Sequence, residues 1–199
     1  MATRTGSGRA NALKPGQELV VRIQETSKAP AEVVYDLVAD LRSHLEWAGE
    51  RQPKGSFRLL EMDAPEGPAT IGTEFRTKGA DPAGRFTDSS VVTEASRAAA
   101  FEFVTEAHLE RKKGRPVDWT NVHRYEIEAE GTGCRIAYTV RIVRLSELSG
   151  SMAAFKIPGL RALALKVSSS YARRGLRNLA RLAEEGPVGP GTSNSRGAR

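Results

Sequence analysis

The sequence predicts an α+β fold: a curved antiparallel sheet of seven strands wrapped around one long C-terminal helix, with a short helical pair after the first strand. Three observations carry this reading. Between Lys54 and Arg144, turn-forming breakers recur at the spacing of an antiparallel meander, after an alternating first strand at Glu18 to Glu25. One shorter helical passage follows directly after the first strand. The stretch from Leu160 to Glu185 is the longest segment with apolar residues at helical spacing, and a sheet with one apolar face needs such an element to cover it.

The elements follow in order. Glu18 to Glu25 alternates, with Leu19, Val21 and Ile23 on one side and Glu18, Val20, Arg22 and Gln24 on the other. Pro30 suits a first helical turn, Glu32 complements the positive helix end, and Val33, Val34, Leu37, Val38 and Leu41 form one apolar face. Ala29 is a poor N-cap. A second short turn spans Arg42 to Trp47. Breakers at Pro65-Glu66-Gly67-Pro68, Gly79 to Gly84, Ser96-Arg97, Arg111 to Pro116 and Gly131-Thr132-Gly133 then delimit six strands, near 54–63, 70–78, 85–95, 99–108, 118–129 and 134–144. In the closing helix, Leu160, Leu163, Val167, Tyr171, Leu179 and Leu182 fall within about a third of a turn at about 100° per residue. Lys166, Arg173, Arg177 and Arg181 take the opposite side. Pro158-Gly159 precedes the helix and Gly186-Pro187 stops it.

Composition narrows the function classes. The 199 residues suit one domain, read as residues 17–185, with Gly- and Ser-rich disordered tails at 1–16 and 186–199. The pI of about 9.7 suggests a nucleic-acid binder until the charges are located. Of 30 basic residues, Arg4, Arg9, Lys14, Arg196 and Arg199 lie in the tails, which leaves 25 against 24 acidic residues. Nucleic acid is therefore disfavoured as a partner, since no binding signature accompanies the charge. The single cysteine, Cys134, reads as a small structural residue, and no metal-ligand spacing or cofactor motif is present. The chain is read as cytoplasmic, a monomer or homodimer, without a membrane span or secretory h-region.

The segment Ala29-Pro30-Ala31-Glu32-Val33-Val34-Tyr35-Asp36-Leu37-Val38-Ala39-Asp40 follows the first strand, and Trp47 follows the helix. Ile71-Gly72-Thr73 opens a strand after a Pro/Gly turn, and Val91-Val92-Thr93-Glu94 lies in the next. With the long closing helix, these residues resemble the START-related (SRPBCC) superfamily, most closely its bacterial polyketide cyclase/dehydrase and lipid-transport branch. The resemblance spans roughly Glu18 to Glu185. It implies a helix-grip fold enclosing a largely apolar cavity, and it carries over no catalytic residue.

Strand alternation supplies an inward set. It comprises Ile71, Thr73, Phe75 and Thr77; Phe101, Phe103 and Thr105; Trp119, Asn121, His123, Tyr125 and Ile127; and Ile136, Tyr138, Val140 and Ile142. The strands 54–63 and 85–95 alternate poorly and leave their register open. Trp47, Phe75, Phe101, Phe103, Trp119, Asn121, His123, Tyr125 and Tyr138 are thus candidate ligand-binding residues, apolar area with a few polar handles. The competing reading has the same aromatics filling the core. Asn121, His123 and Tyr125 weigh against it, because three buried polar groups in a row need one another, water or a ligand. His44 and His108 fit outward positions. Apolar residues in 147–159, including Met152, Phe155 and Ile157, suit a lid or simple docking on the helix.

Three functions fit. The first is a carrier or sensor that binds an apolar or amphipathic molecule, lipid or polyketide-like. The second is a cyclase or dehydratase using His123 for proton transfer, assisted by Tyr125 or Tyr138. The third is a module that recognises an acidic partner through the basic tails and the Arg111 to Arg115 tip. The same basic runs allow transient contact with an anionic membrane.

Overall fold

A computed structural model of the protein describes residues 10–14, 18–146 and 158–186. Its elements are β1 (Asn11–Ala12), β2 (Leu19–Ser27), α1 (Ala31–Ala39), a 3₁₀ turn (Leu41–Ser43), a π turn (Glu46–Glu50), β3 (Arg58–Asp63), β4 (Glu74–Asp81), β5 (Gly84–Ser96), β6 (Ala100–Arg111), β7 (Val117–Glu130), β8 (Gly133–Leu145) and α2 (Pro158–Glu185). The seven expected strands form. An eighth, the two-residue β1, pairs with Leu145 and Arg144 from within the stretch read as a tail. The region 147–157 and the tail from 187 onward lie outside the described residues.

All the strand pairs are antiparallel, in the order β1-β8-β7-β6-β5-β4-β3, and β2 also pairs along β8. β2 and β3 therefore lie toward opposite edges, and α1 with its two turns carries the chain between them. This is the helix-grip arrangement, with α2 packed on β2, on α1 and on the π turn. Ser27 Oγ donates to the Ala180 carbonyl at 3.2 Å, and the Lys28 N–H donates to Glu184 Oε1 at 2.7 Å. Asn178 Nδ2 donates to the carbonyls of Trp47 at 3.1 Å and Arg51 at 3.2 Å. α2 is thereby tied to both the first strand and the π turn.

The core sits under the C-terminal half of α2. Leu176, Leu179, Ala180, Leu182 and Ala183 are buried there against Val34, Val38, Leu41, Ile136 and Phe101. The N-terminal half differs from expectation: Leu163 is 59% exposed and Val167 46%. The apolar stripe runs the length of the helix, but α2 outruns the part of the fold that covers it. Pro30 occupies the N-cap of α1 rather than its first turn, with Glu32 in that turn. Ile71 is 68% exposed, because Thr70 to Thr73 is a turn, with Gly72 at φ 86°, and the strand begins only at Glu74.

Candidate functional site

The registers fix what faces the interior. Asn121, His123 and Tyr125 on β7 lie opposite Thr105, Phe103 and Phe101 on β6, and opposite Ile142, Val140 and Tyr138 on β8. Asn121 reaches this face by simple alternation along β7, and the pairing with β8 absorbs one extra residue, Val143, between Arg144 opposite Thr120 and Ile142 opposite Asn121. The inward set read from alternation is therefore inward here, apart from Ile71 and Thr73. The register left open on β5 is also resolved. Phe86, Asp88, Ser90 and Val92 pair with Leu109, Ala107, Thr105 and Phe103, so two polar residues, Asp88 and Ser90, join the interior. The sequence reading missed them because polar residues on the inner face erase the very alternation that would reveal them.

Most of the candidate aromatics pack on one another. Trp47 meets Tyr125 edge-on at 6.3 Å between ring centroids, and Phe75 meets Phe103 edge-on at 5.3 Å. Phe101 meets Phe103 at 6.2 Å, and Phe103 stacks on the His123 ring at 4.6 Å. Trp47, at the end of the helical pair, is 4% exposed, and its indole N–H donates to Ser43 Oγ at 3.3 Å. His44 is a correction. Read as outward, it is 3% exposed, its Nε2 lies 2.8 Å from the Val38 carbonyl oxygen, and its ring lies 4.6 Å from that of Trp47. The 3₁₀ and π turns break the regular helical period and rotate His44 inward. His108 is outward as expected, between Asp118 Oδ1 at 2.6 Å and Glu110 Oε1 at 3.0 Å, and these carboxylates raise its pKa.

Within this aromatic wall runs a short polar chain. His123 Nδ1 lies 2.6 Å from the Tyr138 hydroxyl, which is bonded in turn to Tyr125. Burial raises the pKa of both phenols well above their usual value, so both keep their protons. Burial also lowers His123 to about 3, with the nearby His44 as a smaller cause, so its ring is neutral. Tyr125 donates to Tyr138 and Tyr138 donates to His123 Nδ1, which leaves the proton of the neutral ring on Nε2. The two hydroxyls and Nδ1 are thus paired with one another.

Further along β7 that pairing stops. Asn121 is 9% exposed, and its Oδ1 is buried without a hydrogen-bond partner among the described residues. Its neighbours across the sheet already have partners: Ser90 and Thr105 share a hydrogen bond of 2.8 Å, and Thr77 donates to Asp88. Trp119, His123, Tyr138, Val140 and Ile142 face the interior yet stay half-buried, so this part of the concave face is incompletely covered. Two open grooves, one around Arg22, Arg124 and Arg135 and one around Glu74, Arg76 and Glu106, lie mainly on the outer face of the sheet. The first is occupied by ion pairs of Arg124 with Glu94 and Glu126 and of Arg135 with Glu128.

No family model and no curated protein matches this sequence. Solved structures share its fold. A protein from Chromobacterium violaceum is 14% identical with a TM-score of 0.55, over 83% of this chain and 97% of that one. An uncharacterized protein from Rhizobium leguminosarum is 18% identical with a TM-score of 0.55, over 84% and 95%. Major latex-like protein 151 from Panax ginseng is 12% identical with a TM-score of 0.55, over 83% and 97%. At these identities the likeness is one of fold, and it agrees with the START-related resemblance and with the helix-grip arrangement.

Proposed function

We propose that the protein binds an apolar or amphipathic small molecule on the concave face of its sheet, as a carrier or sensor, at the half-buried surface formed by Trp119, His123, Tyr138, Val140 and Ile142. One observation carries this reading: the buried, unpartnered Oδ1 of Asn121 in the middle of that surface. A buried acceptor without a partner costs about 1–3 kcal/mol, and a ligand that supplies a donor recovers it. The apolar walls around Asn121 give such a ligand area to bury, and the aromatic cluster behind them makes the wall rigid.

A cyclase or dehydratase role is the weaker reading. It needs His123 to accept a proton near neutral pH, whereas desolvation holds this imidazole down to about 3, and its Nδ1 is already occupied by Tyr138. An acidic-partner role rests on basic tails that lie largely outside the described residues and on the Arg111 to Arg115 tip between β6 and β7.

Native mass spectrometry of the purified full chain, followed by extraction of any bound molecule, tests the binding reading together with titration by the uncharged dye Nile red. A co-purifying apolar molecule or saturable dye binding supports it. An empty protein that leaves Nile red unbound at all concentrations defeats it.

A further inference from the structure

Resting on that binding reading, we infer that the ligand's polar end is an uncharged hydroxyl group that donates its proton to Asn121 Oδ1, and that the site selects for such a donor over an ether or a carboxylate on the same chain. The inference comes from the inventory of polar atoms on the concave face. Thr105 lies directly across from Asn121 on β6, but its hydroxyl is engaged with Ser90 at 2.8 Å. Asp88, one inward step further along β5, accepts from both the hydroxyl and the backbone N–H of Thr77. The buried side-chain atom of this face that lacks a partner among the described residues is therefore an oxygen, Asn121 Oδ1.

Positive charge is missing from the same region. Among the described residues, the inward positions of β4 to β8 around Asn121 are Phe75, Thr77, Asp88, Ser90, Phe103, Thr105, Ala107, Trp119, His123, Val140 and Ile142, with neither lysine nor arginine. The nearest inward arginine on β6 is Arg111, beyond Leu109 at the far end of the strand, where its guanidinium lies against Gly114 in the hairpin tip. His123 offers a neutral ring. A carboxylate placed here would be desolvated beside two acceptors without a cation to meet it. A hydroxyl meets Asn121 Oδ1 as a donor and can accept from the N–H of His123 Nε2, two residues along the same strand face. Ala107, small and 6% exposed, lies between Asp88 and Trp119 in the registers, one inward step along β6 from the Thr105 that faces Asn121.

The test uses the full chain and three ligands with the same ten-carbon tail, 1-decanol, decyl methyl ether and decanoate, each displacing Nile red at pH 8. The alcohol should bind at least about tenfold more tightly than the ether, which accepts but cannot donate, with decanoate weakest. Asn121→Leu should bring alcohol and ether within about threefold of each other. Equal affinity of alcohol and ether for the unmodified protein overturns the inference while leaving the binding reading intact, and this arm requires no variant. A gap that persists unchanged in folded Asn121→Leu overturns the role of Asn121. Absence of any dye binding overturns the binding reading itself, and the inference with it.

Discussion

The Tyr138 hydroxyl and His123 Nδ1 lie 2.6 Å apart on neighbouring strands, and Tyr125 continues the same chain of hydrogen bonds. This contact explains how a histidine and two tyrosines share an apolar interior without loss. The two hydroxyls and Nδ1 partner one another, and the neutral ring suits a desolvated site.

The central position of Tyr138 sets a graded expectation. Tyr138→Phe strands both the His123 acceptor and the Tyr125 donor, and should cost about 2–3 kcal/mol of stability. Tyr125→Phe removes only the terminal donor and should cost about 1 kcal/mol. Urea unfolding of the two variants checks this. Equal losses would mean that the chain does not run from Tyr125 through Tyr138 to His123.

The polar chain also shows which features the sequence made legible. On β7 and β8 the inward residues alternate cleanly with Arg124, Glu126, Arg135 and Arg141, so Tyr125, His123 and Tyr138 were readable as neighbours on one face. On β5 the inward Asp88 and Ser90 are as polar as the outward Thr87 and Ser89, and the pattern vanishes. Leu163 and Val167 misled in the opposite way: an apolar stripe at helical spacing states what a helix can bury, and not whether anything lies against it. The unpartnered Oδ1 of Asn121 depends on the hydrogen bonds of residues far away in sequence, which no local pattern encodes.

Three interior groups titrate in opposing senses. Burial holds His44 down to about 4 and His123 to about 3, while it pushes Asp88 up to about 6. The unfolded chain takes up both histidine protons near pH 6.5, so the stability these groups contribute is present above that pH and is lost as pH falls. Asp88 works the other way: the folded carboxyl keeps its proton up to about pH 6 and the unfolded one releases it near 3.8, so stability declines as pH rises between them. Near pH 5 the unfolded state holds two more protons through the histidines and one fewer through Asp88. The net slope from these groups is about 1.4 kcal/mol per pH unit, with stability rising as pH rises. Asp88→Asn removes the opposing contribution and should double the slope to about 2.7 kcal/mol per pH unit. Urea unfolding between pH 4.5 and 6 measures it, and an unchanged slope would return Asp88 to an ordinary carboxyl pKa.

Arg51 joins the π turn to the end of α2. Its guanidinium contacts both oxygens of Glu185, at 2.9 and 2.6 Å, and Glu46 at 2.6 Å, and these carboxylates raise its pKa. The fork geometry favours the pair, and the half-exposed Glu185 limits it. Arg51→Met should cost about 1 kcal/mol at low salt, and the difference should shrink in about 1 M NaCl. A loss that salt leaves unchanged would assign the effect to packing of the arginine stem.

The β5–β6 hairpin holds a stabilising substitution in reserve. Ala98 has φ 60°, the left-handed region that disfavours residues with a Cβ, because the loop between the paired Ser96 and Ala100 must reverse in three residues. The Ala99 N–H donates to the Ser96 carbonyl at 2.9 Å, and Arg97 holds both carboxylate oxygens of Asp36 on α1, at 3.1 and 2.9 Å. The loop is thus pinned on both sides and cannot relax away from this conformation. An alanine here costs about 1–2 kcal/mol relative to its relaxed backbone, which glycine avoids. Glycine gives back part of that advantage through its greater freedom in the unfolded chain and the loss of a half-buried methyl group. Ala98→Gly should therefore raise stability by about 0.5 kcal/mol, measurable as an increase of about 1–2 °C in the thermal midpoint. A lower midpoint would show that the methyl contact with the core outweighs the backbone strain.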